Sequence, residues 1–218
     1  MAIDYLTSKS NNKSISVRIL WKVIIKGFHN VWPESEIKIN GESLGDAWNS
    51  DILSLSPRPQ KFEEFQNIIP FHKLSMWLTW SLVEAIEKIG GLNISEIHLL
   101  TGLPEYRNGG LMIDMGVLAL EKSIVMAQIS NGKVNVEDNT PLFEVNSQVV
   151  IEWRALTITL LDKLHLTLCD KLGLQISEFP LNKLLEAGSW KAGRELSSKL
   201  RPKTGNPPIG IISDGTIF

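Results

Sequence analysis

The stretch "VIEWRALTITLLDKLHLTLCDKLG" limits the fold of this chain more than any other. From Val150 to Leu172 it contains neither glycine nor proline, and it ends at Gly173, the residue type that most often closes a helix. It is the longest helical candidate in the sequence, although its threonines and β-branched residues leave a strand open at its start. Around Glu152 and Arg154 it is apolar on nearly every side, so a helix here belongs to the interior. Burying a charge without a partner is very costly. Glu152 and Arg154 stand two apart and point in different directions, so their partners must come from other elements. They either form structural ion pairs in the core or line a polar cavity.

The rest of the pattern is also mainly helical. Ser14 is placed to cap a helix through "ISVRILWKVIIKGF", with Gly27 near its end. "VWPESEIKINGESLGDAW" reads as a loop or short hairpin, and "LSPRPQKFEEFQNIIP", with its prolines, as an irregular connector. A strong helix follows in "FHKLSMWLTWSLVEAIEKIGG": Leu74, Trp77, Leu78, Leu82 and Ile86 follow helical spacing, and Gly90-Gly91 closes it. "ISEIHLLTGL" reads as a short helix, and two more fall at "LNKLLEAG" and "SWKAGRELSSKL". The tail is extended, and in "IISDGTIF" the Asp214-Gly215 pair either turns a terminal hairpin or presents Asp214 to a pocket. No repeat, low-complexity tract or convincing boundary divides the chain, so a single domain over residues 1–218 is expected.

Several function classes are disfavoured. A net charge of −2 leaves no electrostatic footprint for nucleic acid. No segment reaches the roughly 18 uncharged apolar residues of a membrane span, and the first residues do not read as a signal peptide. Cys169, alone, excludes an internal disulfide and reads as a buried inert thiol, which fits a cytoplasmic setting. His29, His72, His98 and His165 lack metal-ligand spacing, and no phosphate loop, dinucleotide fingerprint or nucleophile elbow is present. Neither a metal nor a cofactor is therefore expected, and the chemistry must rest on carboxylates, lysine and arginine.

Two further places depart from core logic. His72 and Lys73 stand at a helix N-terminus, where cations are disfavoured unless they meet an anion. "LPEYRNGGLMIDMGVL" opens a helix with Pro104 and Glu105, which suit a first turn. Tyr106, Arg107, Asn108 and then two glycines do not, because paired glycines in a helix cost roughly 2 kcal/mol relative to alanine. That cost is tolerated where a ligand or another backbone comes close. Asp114 lies further along the same helix.

Read together, "LGDAW", "IPFHKLSMWLTWSLVE", "LTGLPEYRNGGLMIDMGVL", "VVIEWRALTITLLD", "LLEAGSWKAGRE" and "PPIGIISDGTIF" resemble, in order and spacing, the uracil-catabolism family of fungi and bacteria. Met76 and Ala187 depart from it, standing where the family tends to have glutamine and glycine. Family members are typically longer, and this chain resembles their C-terminal half. The order Phe71-His72-Lys73, Glu105-Tyr106-Arg107, Glu152-Trp153-Arg154-Ala155 is also similar to the helical queuosine-salvage N-glycosidases, where an aspartate takes the place of Glu105.

These resemblances imply a mainly α domain like the helical DNA glycosylases, with a short β hairpin or extended C-terminal tail. They imply hydrolysis of the N-ribosyl bond of ribosylurea, or of its 5′-phosphate, with release of urea. Glu105 would stabilise the oxocarbenium-like state, with Asp114 and Asp214 as rivals. Tyr106 or Arg107 would bond the ureido oxygen, with Asn108 in the same pocket wall. Glu152 would bind ribose hydroxyls or urea, Arg154 would lock an acidic side chain, and His72 with Lys73 would hold a phosphate. The implied partner is a nucleoside-like small molecule, with no nucleic acid or membrane. The alternatives are a ureido amidohydrolase, or a non-catalytic half-domain needing a chain that supplies the family's N-terminal half.

Overall fold

A computed structural model describes residues 2–32, 34, 37–55 and 65–212. Among them the helices are α1 (Ala2–Lys9), α2 (Val17–Gly27), α3 (Asp51–Ser54), α4 (Lys73–Lys88), α5 (Tyr106–Asp114), α6 (Lys122–Ser130), α7 (Gln148–Leu172), α8 (Leu181–Lys183) and α9 (Lys191–Leu200). The strands are short: β1 (Ser14–Ser16), β2 (Lys38–Ile39), β3 (Glu42–Ser43), β4 (Ala47–Asn49), β5 (Ile68–Pro70), β6 (Asn93–Ser95), β7 (Leu142–Glu144) and β8 (Gly210–Ile212). The chain is mainly α. It groups into two compact units, Met1–Asp46 with His72–Thr101, and Ala47–Phe71 with Gly102–Phe218.

In the first unit β1 pairs in parallel with β6, joining buried Ile15 to buried Ile94. This pairing takes Ser14 into a strand, so Ser16 rather than Ser14 caps α2, its hydroxyl accepting the Arg18 N–H at 3.2 Å. Val17, Leu20 and Ile24 form the buried stripe of α2, which packs on α4. Lys38–Ile39 and Glu42–Ser43 make the hairpin, turned by Asn40 and Gly41 at φ 51° and 85°. The segment after Gly91 is strand β6 and a 3₁₀ turn, Ile97–Leu99, instead of a helix.

The face that α4 buries differs from the apolar spacing in its sequence. Ser75, Met76, Thr79, Val83 and Ile86 are buried, whereas Trp77 is 54% exposed and Leu74, Leu78 and Leu82 are only half-buried. Large apolar side chains lie nearly all round this helix, so their spacing does not select one face. Thr79 can face inward because its hydroxyl donates to the Ser75 carbonyl at 2.7 Å.

In the second unit Ser147 caps α7 and Gly173, at φ 66°, ends it, so the whole stretch is helix from Gln148. Its buried stripe, Val150, Arg154, Thr157, Leu161 and His165, carries the polar groups as well as the core. Two clusters grip its first turns. One joins Ile151 and Val145 to Trp48 and Phe71, the latter two brought in by the antiparallel β4–β5 pair. The other joins Val150 and Trp153 to Phe143 and Ile209, brought in by the parallel β7–β8 pair. The tail is thus a strand on β7 up to Ile212, and Asp214 lies outside the described residues.

Instead of two separate helices, Leu181 to Leu200 is one helical run in which Leu184–Trp190 forms a π turn. Leu181, Leu185, Ser189, Gly193 and Ser197 are all buried at four-residue intervals. In a regular α-helix each four-residue step drifts by about 40°, so four steps would carry the stripe roughly 160° around the axis. The extra residue taken up by the π turn winds it back, and α9 keeps one face on α5.

Candidate functional site

Glu105 stands in extended conformation immediately before α5 and caps it. Its carboxylate accepts the backbone N–H of Arg107 at 2.8 Å and that of Asn108, while its own N–H donates to the Leu103 carbonyl at 2.9 Å. The acid is therefore fixed on both sides and sits at the positive end of the helix dipole. Pro104 beside it is fully buried, and Arg154 braces that residue, its Nε 3.4 Å from the Pro104 carbonyl. Arg154 is 3% exposed, and its guanidinium lies 4.1 Å over the centre of the Phe71 ring. That stacking compensates part of the desolvation of a buried cation.

The remaining polar residues of the α5 motif are committed to neighbouring elements. Arg107 turns into α9, where its Nη1 donates to Ser197 Oγ at 2.8 Å and to the Gly205 carbonyl at 2.6 Å. The buried Asn108 side chain donates to the Leu103 carbonyl at 3.2 Å and accepts from Ser189 Oγ at 2.8 Å. A Cβ on Gly109 would lie 2.6 Å from Trp153 Nε1 and Thr157 Oγ1, and one on Gly110 would lie 3.0 Å from Pro208. The glycine pair thus admits α7 and the Pro207-Pro208 segment. Only Tyr106, 37% exposed, faces outward.

Asp114 ends α5, nine residues and about 13 Å from Glu105 along the helix. Its side chain is 5% exposed and forms a bidentate ion pair with Arg201, at 3.0 and 2.5 Å. This pair ties the end of α5 to the residue that follows α9. Glu152 is exposed, contrary to its expected burial, because two residues turn it about 200° from Arg154 around α7. The structure brings Glu105, Tyr106, Asn108 and Arg154 to one end of α5 and leaves Asp114 and Glu152 away from it.

His72 and Lys73 belong to the first unit, at the start of α4. His72 takes φ 47°, its N–H bonded to the Asp46 carbonyl at 3.0 Å and its ring set edge-on to Trp21. Burial pushes the His72 pKa down, with the nearby Asp46 charge opposing the shift. The Lys73 N–H, which a phosphate was expected to claim, donates instead to Asp46 Oδ2 at 3.0 Å. The anion at this terminus is the protein's own carboxylate, and Lys73 itself is buried.

Among the described residues no group of three or more histidine, cysteine or acidic side chains is placed to hold a metal ion, and no helix is long and apolar enough to cross a membrane. Cys169 is buried and free. The sequence reading missed Asp46, Ser189, Gly193 and Arg201. Asp46 caps from 27 residues away, beyond any local capping signal. The spacing Ser189-Gly193-Ser197 in "SWKAGRELS" was a usable sign of a close helix crossing.

The whole chain, residues 1–218, matches the family described as a protein of unknown function (DUF1688). It is 39% identical over 224 residues to uracil catabolism protein 4 of Lachancea kluyveri, covering 99% of this chain and 50% of that protein. It is 38% identical over 208 residues to protein urg3 of Schizosaccharomyces pombe, covering 95% of this chain and 46% of that protein. The chain thus spans about half the length of these curated relatives. No solved structure matches it significantly, so the likeness to helical N-glycosidases rests on sequence motifs.

Proposed function

Since the chain belongs to the DUF1688 family and is similar to a uracil catabolism protein, we propose that it acts in uracil catabolism as an N-ribosyl hydrolase releasing urea from ribosylurea. The observation that carries this reading is the Glu105 carboxylate, fixed by two backbone N–H groups at the head of α5 with Arg154 beneath the preceding residue. A carboxylate held in this way suits electrostatic stabilisation of a developing sugar cation, a role that needs a stationary anion. Water adds its oxygen to the anomeric carbon as the bond to the urea nitrogen breaks, and one water proton ends on that nitrogen. The products are ribose and urea. Tyr106 is the donor available to the ureido oxygen, since Arg107 is turned into α9. With the Asp46 carboxylate at the head of α4, nothing there supports a phosphate, and the unphosphorylated substrate is the form proposed.

The test is urea release from ribosylurea, with and without a 5′-phosphate, by the purified chain and its Glu105→Gln variant. Glutamine keeps an acceptor oxygen for the helix cap, so the variant should fold while losing about 10²–10⁴ in rate. Parent and variant releasing urea equally would remove Glu105 from the chemistry. The half-length coverage supports a second reading, in which the chain works only with the remainder of the family architecture. In that case release appears only when the missing half is supplied.

A further inference from the structure

We infer that Ser189, on the π turn between α8 and α9, is a positioning residue for Glu105; this rests on the hydrolase reading above. Ser189 is 2% exposed, and its hydroxyl donates to Asn108 Oδ1 at 2.8 Å. That bond orients the Asn108 amide: with Oδ1 engaged, Nδ2 faces the Leu103 carbonyl, 3.2 Å away. The same carbonyl accepts the Glu105 N–H, and the Asn108 backbone N–H holds the Glu105 carboxylate. Glu105 is thus enclosed in a small ring of bonds through Leu103 and Asn108. Ser189 braces that ring from another helix, at Asn108 Oδ1.

The helix geometry delivers Ser189 to this point. A buried hydroxyl in a helix usually satisfies itself on the carbonyl four residues back. In the π turn Ser189 instead reaches across to α5, with the Leu184 carbonyl, five residues back, as its more distant alternative at 3.4 Å. One turn later Gly193 allows the Arg107 carbonyl to lie against α9, so the backbone just before Asn108 is held in register with Ser189. π turns are rare and concentrate at functional sites, and here the irregularity aligns a donor with the residue that holds the catalytic carboxylate.

The test compares kcat and KM for urea release from ribosylurea, together with thermal midpoints, for the parent, Glu105→Gln, Ser189→Ala, Ser189→Cys and Ser197→Ala. A loosened carboxylate should lower kcat, because small misplacements of a catalytic group cost up to about 10²-fold while leaving substrate affinity nearly intact. Ser189→Ala is expected to lose about tenfold in kcat with KM within about twofold, and the near-isosteric Ser189→Cys, a weaker donor, to fall between it and the parent. Ser197→Ala removes an equally buried hydroxyl from Arg107 instead of Asn108, so it should lower the midpoint and leave kcat unchanged. Parent-level kcat in both Ser189 variants, with Glu105→Gln impaired, overturns the positioning role and keeps the hydrolase. A kcat loss of the same size in Ser197→Ala reduces Ser189 to a structural part and also overturns the role. A parent inactive both alone and with the missing half supplied, or one matched by Glu105→Gln, overturns both.

Discussion

Replacing Gly193 by alanine sets two effects of opposite sign against each other. Helix propensity alone favours alanine by about 1 kcal/mol in a helix interior. Against this, a Cβ at Gly193 would lie 2.2 Å from the Arg107 carbonyl oxygen and 2.9 Å from its carbon. Neither atom can swing aside, since both are backbone of α5, which is capped by Glu105 and tied to α9 through Arg107. The helices must part by on the order of 1 Å, and overpacking of this kind costs about 1–3 kcal/mol, sometimes more. A clash this short with fixed backbone puts the cost at the upper end, about 2–3 kcal/mol, so steric repulsion should win, leaving a net loss of about 1–2 kcal/mol and lowering the urea midpoint by up to about 1 M. Gly188→Ala, in the same helical run, is the matched control. Its Cβ would meet the tip of the Leu184 side chain at 3.0 Å, a group that can rotate away. That variant should be neutral or slightly stabilised. Urea unfolding of both, followed by far-ultraviolet circular dichroism, decides the matter. A Gly193→Ala protein as stable as Gly188→Ala would refute the close crossing of α5 and α9.

Asp114→Asn should cost about 3 kcal/mol, because it strands the Arg201 guanidinium without its anion. Turnover per folded molecule should persist below the lowered midpoint, and loss of turnover without loss of stability would return Asp114 to the list of catalytic acids. His72, whose pKa burial lowers from 6.5, binds its proton less readily folded than unfolded. Its contribution to stability is therefore complete above pH 6.5 and is lost as pH falls through the window just below that value. His72→Asn, whose side chain tolerates the left-handed backbone, should flatten that acid-side loss, measured as midpoint against pH. An unchanged slope would mean that His72 is not the group responsible.

Much of this organisation was legible where the signals are local. The α7 stretch, free of glycine and proline and closed by Gly173, read as the longest helix with only its start open to a strand, and Pro104-Glu105 marked the start of α5. Signals that depend on a partner far along the chain were not readable. Ser14 looked like a cap until Asn93 paired with it as a strand, and the α4 terminus looked open to a phosphate until Asp46 closed it. Sequence also could not choose the buried face of α4, where the inward Thr79 is satisfied by its own helix. At Gly109 and Gly110 it revealed a need for space but not the occupant, which is packed protein. The ion pair of Asp114 with Arg201 spans 87 residues, so an isolated acid in an apolar run read as a site.

The two units share their chain in an interleaved order, changing over at 46/47, 71/72 and 101/102. Recombination at any one of these joints would therefore cut through at least one of the two units. Starting a gene at residue 102 would keep α5 and α7 but discard Trp48 and Phe71, removing half of one buried cluster and the aromatic face over Arg154. Descent with modification can reshape either unit by substitution, yet it can transplant neither by a single crossover, and the pair is inherited as one piece.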